Sequence, residues 1–216
     1  FFETNGVTVV HGRARLVDAR TIEVQSVAGA QQRLTTRHIV IASGSRPRNP
    51  PNVPVDHESI LDSDSILSMH YLPRSLTVLG GGVIATEYAT IFSLLGVRVT
   101  MIDTGPRPLG FIDPELVDRF LRHFTTHGGT WLGRRTIESV TLGPLGEVVT
   151  HLAGGETVVS DKMLCALGRS ANVEDLGLGA AGIIQGKYGV IAVDAHYQTN
   201  VPGIYAVGDV IGPPAL

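Results

Sequence analysis

Three consecutive glycines, Gly80-Gly81-Gly82, join an apolar strand-like run, Ser-Leu-Thr-Val-Leu from Ser75 to Leu79, to a helical pattern that starts at Val83. The helix carries Ile84, Tyr88, Ile91 and Leu95 at i, i+4, i+7 and i+11, which predicts one apolar face, and Gly96 ends it. A second strand, Val-Arg-Val-Thr-Met-Ile-Asp, follows at once and ends at Asp103, 23 residues after Gly80. A strand, a glycine turn, a helix and a parallel strand leave few choices of fold. Within Gly80-Gly81-Gly82-Val83-Ile84-Ala85 the spacing is G-x-G-x-x-A. The first glycine permits the tight turn, Gly82 lets a pyrophosphate reach the backbone, and Ala85 is small enough for close helix–strand packing. The helix N-terminus then faces phosphate charge, and an acid about 20 residues on accepts ribose hydroxyls.

The expected ligand is therefore a nicotinamide dinucleotide in a Rossmann-type unit, with Gly80, Gly81, Gly82, Val83, Ile84 and Asp103 around it. The Asp103 carboxylate would repel a 2′-phosphate, which favours NAD(H) over NADP(H). Arg107, and the alanine in place of a third glycine, leave NADP(H) open. Beyond this unit, Asp113 and Pro114 cap and start a second helix with Leu116, Phe120 and Phe124 on one face, and Gly128 closes it. The stretches TIESVTLG, EVVTHLAGG and ETVVSD predict an antiparallel meander, and KMLCALG a returning strand. The whole predicts a three-layer α/β domain.

Both flanks read differently. The opening residues predict a β-rich module, with Val7–Val10 and Ile39–Ala42 as apolar strands buried on both faces. Arg46 to Pro54 holds four prolines in nine residues, which excludes helix and interior strand and suits a domain crossover. DSDSILSM after it suggests capped short turns. The closing stretch, GVIAVDAHYQTNVPGIYAVGD, again predicts β-structure. IVIASG and IYAVGD are expected to pair with each other. The chain of 216 residues begins at Phe1 and stops at Leu216 just after this motif, so it reads as part of a longer protein.

Composition narrows the partners. A net charge of −3 offers no basic field for nucleic acid or an anionic membrane, and no long apolar run suggests a membrane span. Cys165 is the single cysteine, which excludes an intrachain disulfide and fits a reducing cytosol. Its apolar strand predicts a small buried core residue. His123 and His127 have the i, i+4 spacing that can bind zinc, but no third ligand is evident nearby, so no metal site is assigned.

Several segments now resemble the pyridine nucleotide-disulfide oxidoreductase family of flavoproteins. Ile41-Ala42-Ser43-Gly44-Ser45-Arg46-Pro47 is similar to the family's I-A-T-G-S-x-P exit from its flavin domain. Thr199 to Asp209 resembles its T-x-x-x-x-I-Y-A-x-G-D strand, and Ala166-Leu167-Gly168-Arg169 with Asn172 its A-x-G-R-x-P-N segment, Ala171 standing in place of proline. The wording of DSDSILSMH, YQT and AVGDVIGPPAL is nearest to the soluble pyridine nucleotide transhydrogenases of that family.

The resemblance implies residues 1–45 and 172–216 as discontinuous parts of an FAD-binding domain around a nicotinamide-binding domain at 46–171. It implies that Asp209 binds the ribityl chain of FAD, that Glu87 faces the nicotinamide amide and flavin edge, and that Gly44 and Gly168 lie close to cofactor. The implied activity of the whole protein is hydride transfer between NAD(P)H and FAD, in a cytoplasmic homodimer or larger assembly. A dihydrolipoamide dehydrogenase-like reductase and a non-catalytic dinucleotide-binding module are the alternatives. No catalytic residue is assigned within residues 1–216, because the redox-cysteine and dimerisation regions of the family would lie outside them.

Overall fold

The computed structural model describes residues 2–213; Phe1 and the end of the AVGDVIGPPAL motif, Pro214 to Leu216, lie outside the described residues. The chain divides into two compact units, Phe1–Arg46 with Arg169–Leu216, and Pro47–Gly168.

In the first unit, β1 (Arg13–Leu16), β2 (Thr21–Gln25) and β3 (Gln31–Thr35) form an antiparallel meander. β4 (Ile39–Ile41) follows, then β5 (Ser45–Pro47) at the crossing into the second unit. The second unit opens with β6 (Ile60–Asp62), β7 (Ser75–Leu79), helix α1 (Val83–Leu94) and β8 (Arg98–Ile102). Helix α2 (Pro114–Thr126), β9 (Thr130–Leu132) and the strands β10 (Ile137–Leu142), β11 (Val148–Leu152) and β12 (Thr157–Ser160) come next, and β13 (Lys162–Cys165) closes the unit. The chain then returns through β14 (Arg169–Ala171), paired with β5, and β15 (Ile204–Ala206), which runs parallel to β4 with Ile204 opposite Ile39. IVIASG and IYAVGD thus pair as the sequence suggests.

The second unit is a three-layer sandwich. Its middle layer is a parallel sheet in the order β6-β13-β7-β8-β9. Successive side chains of a strand point to opposite faces. Leu76, Val78, Val99, Met101, Leu61 and Leu164 accordingly pack with Ala85, Ala89 and Phe92 of α1 and Phe124 of α2. Leu79, Ile102, Ile60, Met163 and Cys165 meet Val140, Val148 and Leu152 of the β10–β12 meander on the other face. A buried bond between the Thr77 and Ser160 hydroxyls, 2.8 Å long, joins those two layers. Full burial of one such aliphatic side chain stabilises by about 1.5–3 kcal/mol. No helix of the described residues is long and apolar enough to cross a membrane.

Five expectations are corrected. The buried face of α1 is Ala85, Thr86, Ala89, Phe92 and Ser93, whereas Ile91 and Leu95 are 50% and 57% exposed. Small residues let the helix sit close on the sheet, and size decides the face in a helix apolar nearly all round. On α2 the buried residues are Val117 and Phe124, with Leu116 exposed. Val7–Val10 form no strand and are exposed, because nothing among the described residues pairs with them. Val40 is exposed within β4, so that strand is covered on one face alone. The closing stretch is mostly turns, with β15 its one strand of regular length.

Candidate functional site

The C-terminal edge of the parallel sheet gathers the glycine turn, Asp103 and the end of β13. In open α/β sheets this edge is where ligands lie. Gly80 follows β7 with φ +118°, a conformation that glycine adopts without strain. A Cβ there would overlap the Ala166 carbonyl oxygen, just past β13. The Gly80 N–H donates to the Ile102 carbonyl at 2.8 Å, tying the turn to β8.

Gly81 is covered from above. The Leu109 N–H donates to its carbonyl at 2.6 Å, and a Cβ at Gly81 would lie 3.1 Å from the Trp131 ring and 3.3 Å from Pro108. Gly82 differs. It is the N-cap of α1 at φ −82° and ψ −174°, with no side-chain cap, and a Cβ there would meet nothing within 4 Å. By contrast, α2 is capped by its own sequence, the Asp113 carboxylate accepting the Glu115 N–H at 2.8 Å. The first N–H groups of α1 are left for an external acceptor, and the helix dipole favours an anion there. Val83 and Ile84 open that helix, and Glu87 stands exposed one turn on.

Asp103 ends the β8 segment beside this turn. Its Oδ1 accepts the Gly105 N–H at 2.6 Å, which fixes the carboxylate and leaves Oδ2 for a ligand hydroxyl. Residues 103–105 are clamped from β9's exit by Arg135 N–H to the Asp103 carbonyl and Arg134 N–H to the Gly105 carbonyl, both 3.0 Å. Trp131 of β9 props the same loop, its indole N–H donating to the Pro106 carbonyl at 3.3 Å. Trp131, Leu109 and Arg134 were not among the residues that the motif singles out. The one signal for Trp131 is its place on the strand beside the acid-bearing one. Arg107 is committed elsewhere, to Asp118 of α2 at 2.8 Å. Gly168 stands past β13 at φ +103°, where a Cβ would lie 3.2 Å from the Arg48 guanidinium.

Gly44 and Asp209 belong to the first unit. Gly44, at φ +71°, accepts the Asn172 N–H at 2.9 Å through its carbonyl. The Asp209 carboxylate accepts the Ser45 hydroxyl at 2.8 Å, and Arg169 Nε lies 3.8 Å from it while donating to Ser45 Oγ at 2.6 Å. Cys165 is buried among Leu79 and Met163, and burial pushes its thiol up to about 11, away from thiolate chemistry. The His123 and His127 rings stand 4.2 Å apart, and no group of three or more His, Cys, Asp and Glu among the described residues could hold a metal ion.

A parallel sheet between helices and a meander, carrying a glycine turn at its C-terminal edge, is the fold of FAD- and NAD(P)-dependent oxidoreductases. The chain belongs to the pyridine nucleotide-disulphide oxidoreductase family, whose model matches residues 1–216. It is 42% identical over its whole length to the soluble pyridine nucleotide transhydrogenase of Erwinia tasmaniensis, and 41% identical to that of Vibrio atlanticus. It spans 46% of each of those relatives. The crystal structure of LpdA from Mycobacterium tuberculosis superposes with a TM-score of 0.92 at 30% identity, over 99% of this chain and 48% of that one.

Proposed function

We propose that residues 47–168 bind a nicotinamide dinucleotide, with its pyrophosphate at Gly82 and the α1 N-terminus and its adenosine ribose on Asp103. The observation that carries this is the uncapped start of α1. Open space at Gly82 and a fixed carboxylate at Asp103 lie at the same sheet edge. The N–H groups of the first turn would take the phosphate oxygens, and Asp103 Oδ2 the ribose hydroxyls. Glu87, on the exposed face of α1, is the residue for the nicotinamide amide.

The first unit would contribute to an FAD site, with Gly44 giving close backbone approach and Asp209 accepting a ribityl hydroxyl. A bound flavin supplies the two-electron partner for the nicotinamide. In the whole, longer protein the reaction is then hydride exchange between NADP(H) and NAD(H) through the flavin, as the names of its relatives suggest. We place that protein in the cytoplasm as a homodimer or larger assembly, in keeping with the family resemblance and one buried thiol. Within the dinucleotide site the Asp103 charge supports a preference for NAD(H).

Titration of this chain with NADH tests the site directly. Trp131, the single tryptophan, packs against Gly81 and reports binding through its fluorescence. Saturable quenching with one equivalent is expected; no binding up to millimolar NADH would sink the proposal.

A further inference from the structure

A protein that exchanges hydride between NAD(H) and NADP(H) must admit a 2′-phosphate, and Asp103 by itself opposes one. Three arginines lie around the Asp103 loop, and two are occupied. Arg107 pairs with Asp118 at 2.8 Å, and Arg135 with Glu156 at 3.3 Å. Arg134 is exposed, and its guanidinium has neither an ion pair nor a hydrogen bond among the described residues.

Its backbone is held against the ribose-binding loop. The Arg134 N–H donates to the Gly105 carbonyl at 3.0 Å, and Gly105 N–H in turn donates to Asp103 Oδ1 at 2.6 Å. Gly133 packs so close that a Cβ on it would lie 2.9 Å from the Gly105 carbonyl oxygen. Arg134 takes φ +57°, a region where glycine or asparagine is the cheaper residue. Strained positions of this kind cluster at ligand sites.

We propose that Arg134 is the phosphate-binding residue of the dinucleotide site, meeting a 2′-phosphomonoester on the adenosine ribose so that NADP(H) enters beside Asp103. The inference rests on the assignment of Asp103 as the ribose acceptor. An arginine suits the role because its fork of N–H donors matches phosphate oxygens and stays charged at any physiological pH. The pair would then work as opposites. Asp103 favours the free ribose, Arg134 the phosphorylated one, and the site accepts both nucleotides.

The test measures NADH and NADPH affinities by calorimetry for the wild-type chain, Arg134→Gln and Gly82→Val. With Arg134→Gln, NADPH affinity should fall about tenfold while NADH changes less than twofold. ADP and 2′,5′-ADP should show the same split. Arg134→Gly, which suits the positive φ, guards against loss of fold and should match Arg134→Gln. If Gly82→Val leaves NADH binding intact, the dinucleotide assignment fails. If Gly82→Val abolishes it, yet Arg134→Gln weakens both nucleotides equally or neither, the role of Arg134 is overturned.

Discussion

Gly80 and Ala166 approach so closely that the Ala166 carbonyl oxygen occupies the space a side chain on Gly80 would need. The contact brings the ends of β7 and β13 together and fixes the turn from which α1 starts. Gly80→Ala faces that overlap and an unfavourable φ of +118° at once. Backbone strain and overpacking each cost about 1–3 kcal/mol, so about 3 kcal/mol in total is expected. For a chain of this size the melting temperature should fall by on the order of 10 °C, read by circular dichroism. An unchanged melting temperature would mean that the turn is not held as described.

Two residues on, the expectation reverses. Gly82 has an ordinary φ of −82° and open space where a Cβ would stand, so Gly82→Val should fold with a melting temperature close to wild type. Its branched side chain would instead fill the space before the α1 N-terminus. NADH binding should be lost, by at least a factor of about 30, or about 2 kcal/mol. Melting and titration of the same sample check both halves. A variant that binds NADH normally would place the dinucleotide elsewhere.

Asp103 should set the nucleotide preference. At about 4 Å, like charges repel by roughly 1 kcal/mol in water and roughly 4 kcal/mol at an effective dielectric of 20. NADH should therefore bind at least about tenfold tighter than NADPH, a difference of about 1.4 kcal/mol. Asp103→Asn should narrow the gap chiefly by improving NADPH. Equal affinities in the wild-type chain would contradict this account of the carboxylate.

Asp62 carries a pH dependence. It is 4% exposed, and burial alone would push its carboxyl up. Hydrogen bonds outweigh that effect, from the Ser65 N–H at 2.9 Å, the Asn49 amide at 3.1 Å and the Ser65 hydroxyl at 2.8 Å, and hold it below the usual carboxylate range. A carboxyl depressed in the folded state stabilises above its unfolded value, about 3.9, and that contribution is lost as pH falls through the lower folded value. Asp62→Asn would set an amide donor against Asn49. It should cost about 1–3 kcal/mol at pH 7. Denaturant melts across pH should show the gap from wild type shrinking below about pH 4, and a gap independent of pH would rule out the charge as its source.

The contrast between Gly82 and α1 shows what sequence can carry. Turn chemistry is local, so strand, glycines, helix start and Asp103 could all be placed from spacing. The face of α1 could not. Ile84, Tyr88, Ile91 and Leu95 have the right period, yet Ala85 and Ala89 are buried because the sheet admits small side chains. β6 was missed for a related reason. The turn pattern of DSDSILSM starts at the strand's last residue, Asp62, and Ile60 and Leu61 before it carry no pattern of their own. They become a strand because β13, about a hundred residues later, pairs with Ile60–Asp62 at Met163–Cys165. The clamp of Arg134 and Arg135 on residues 103–105 likewise depends on β9 lying beside β8, which no local pattern encodes.

The flavin side leads to the last prediction: residues 1–216 alone should hold no FAD and transfer no hydride. Of the two α-helices among the described residues, α1 alone begins at a glycine turn, and that turn is assigned to the nicotinamide nucleotide. Among the described residues no second glycine turn at a helix start is left for the flavin pyrophosphate. What remains is Asp209, and its carboxylate already accepts the Ser45 hydroxyl at 2.8 Å with Arg169 at 3.8 Å. A ribityl hydroxyl would compete with those partners. A hydrogen bond to a charged group contributes about 1.5–3 kcal/mol, which by itself corresponds to millimolar affinity or weaker before any ordering cost. The purified chain should be colourless, with no flavin absorption band in the visible, and should not reduce a dye with NADH even when FAD is added. Ser45→Ala frees one lone pair of Asp209 and should not change this result, since the missing contribution is the phosphate site and not the ribityl one. A yellow sample with one flavin per chain would show that Gly44, Asp209 and their neighbours suffice, and the affinity reasoning would fall.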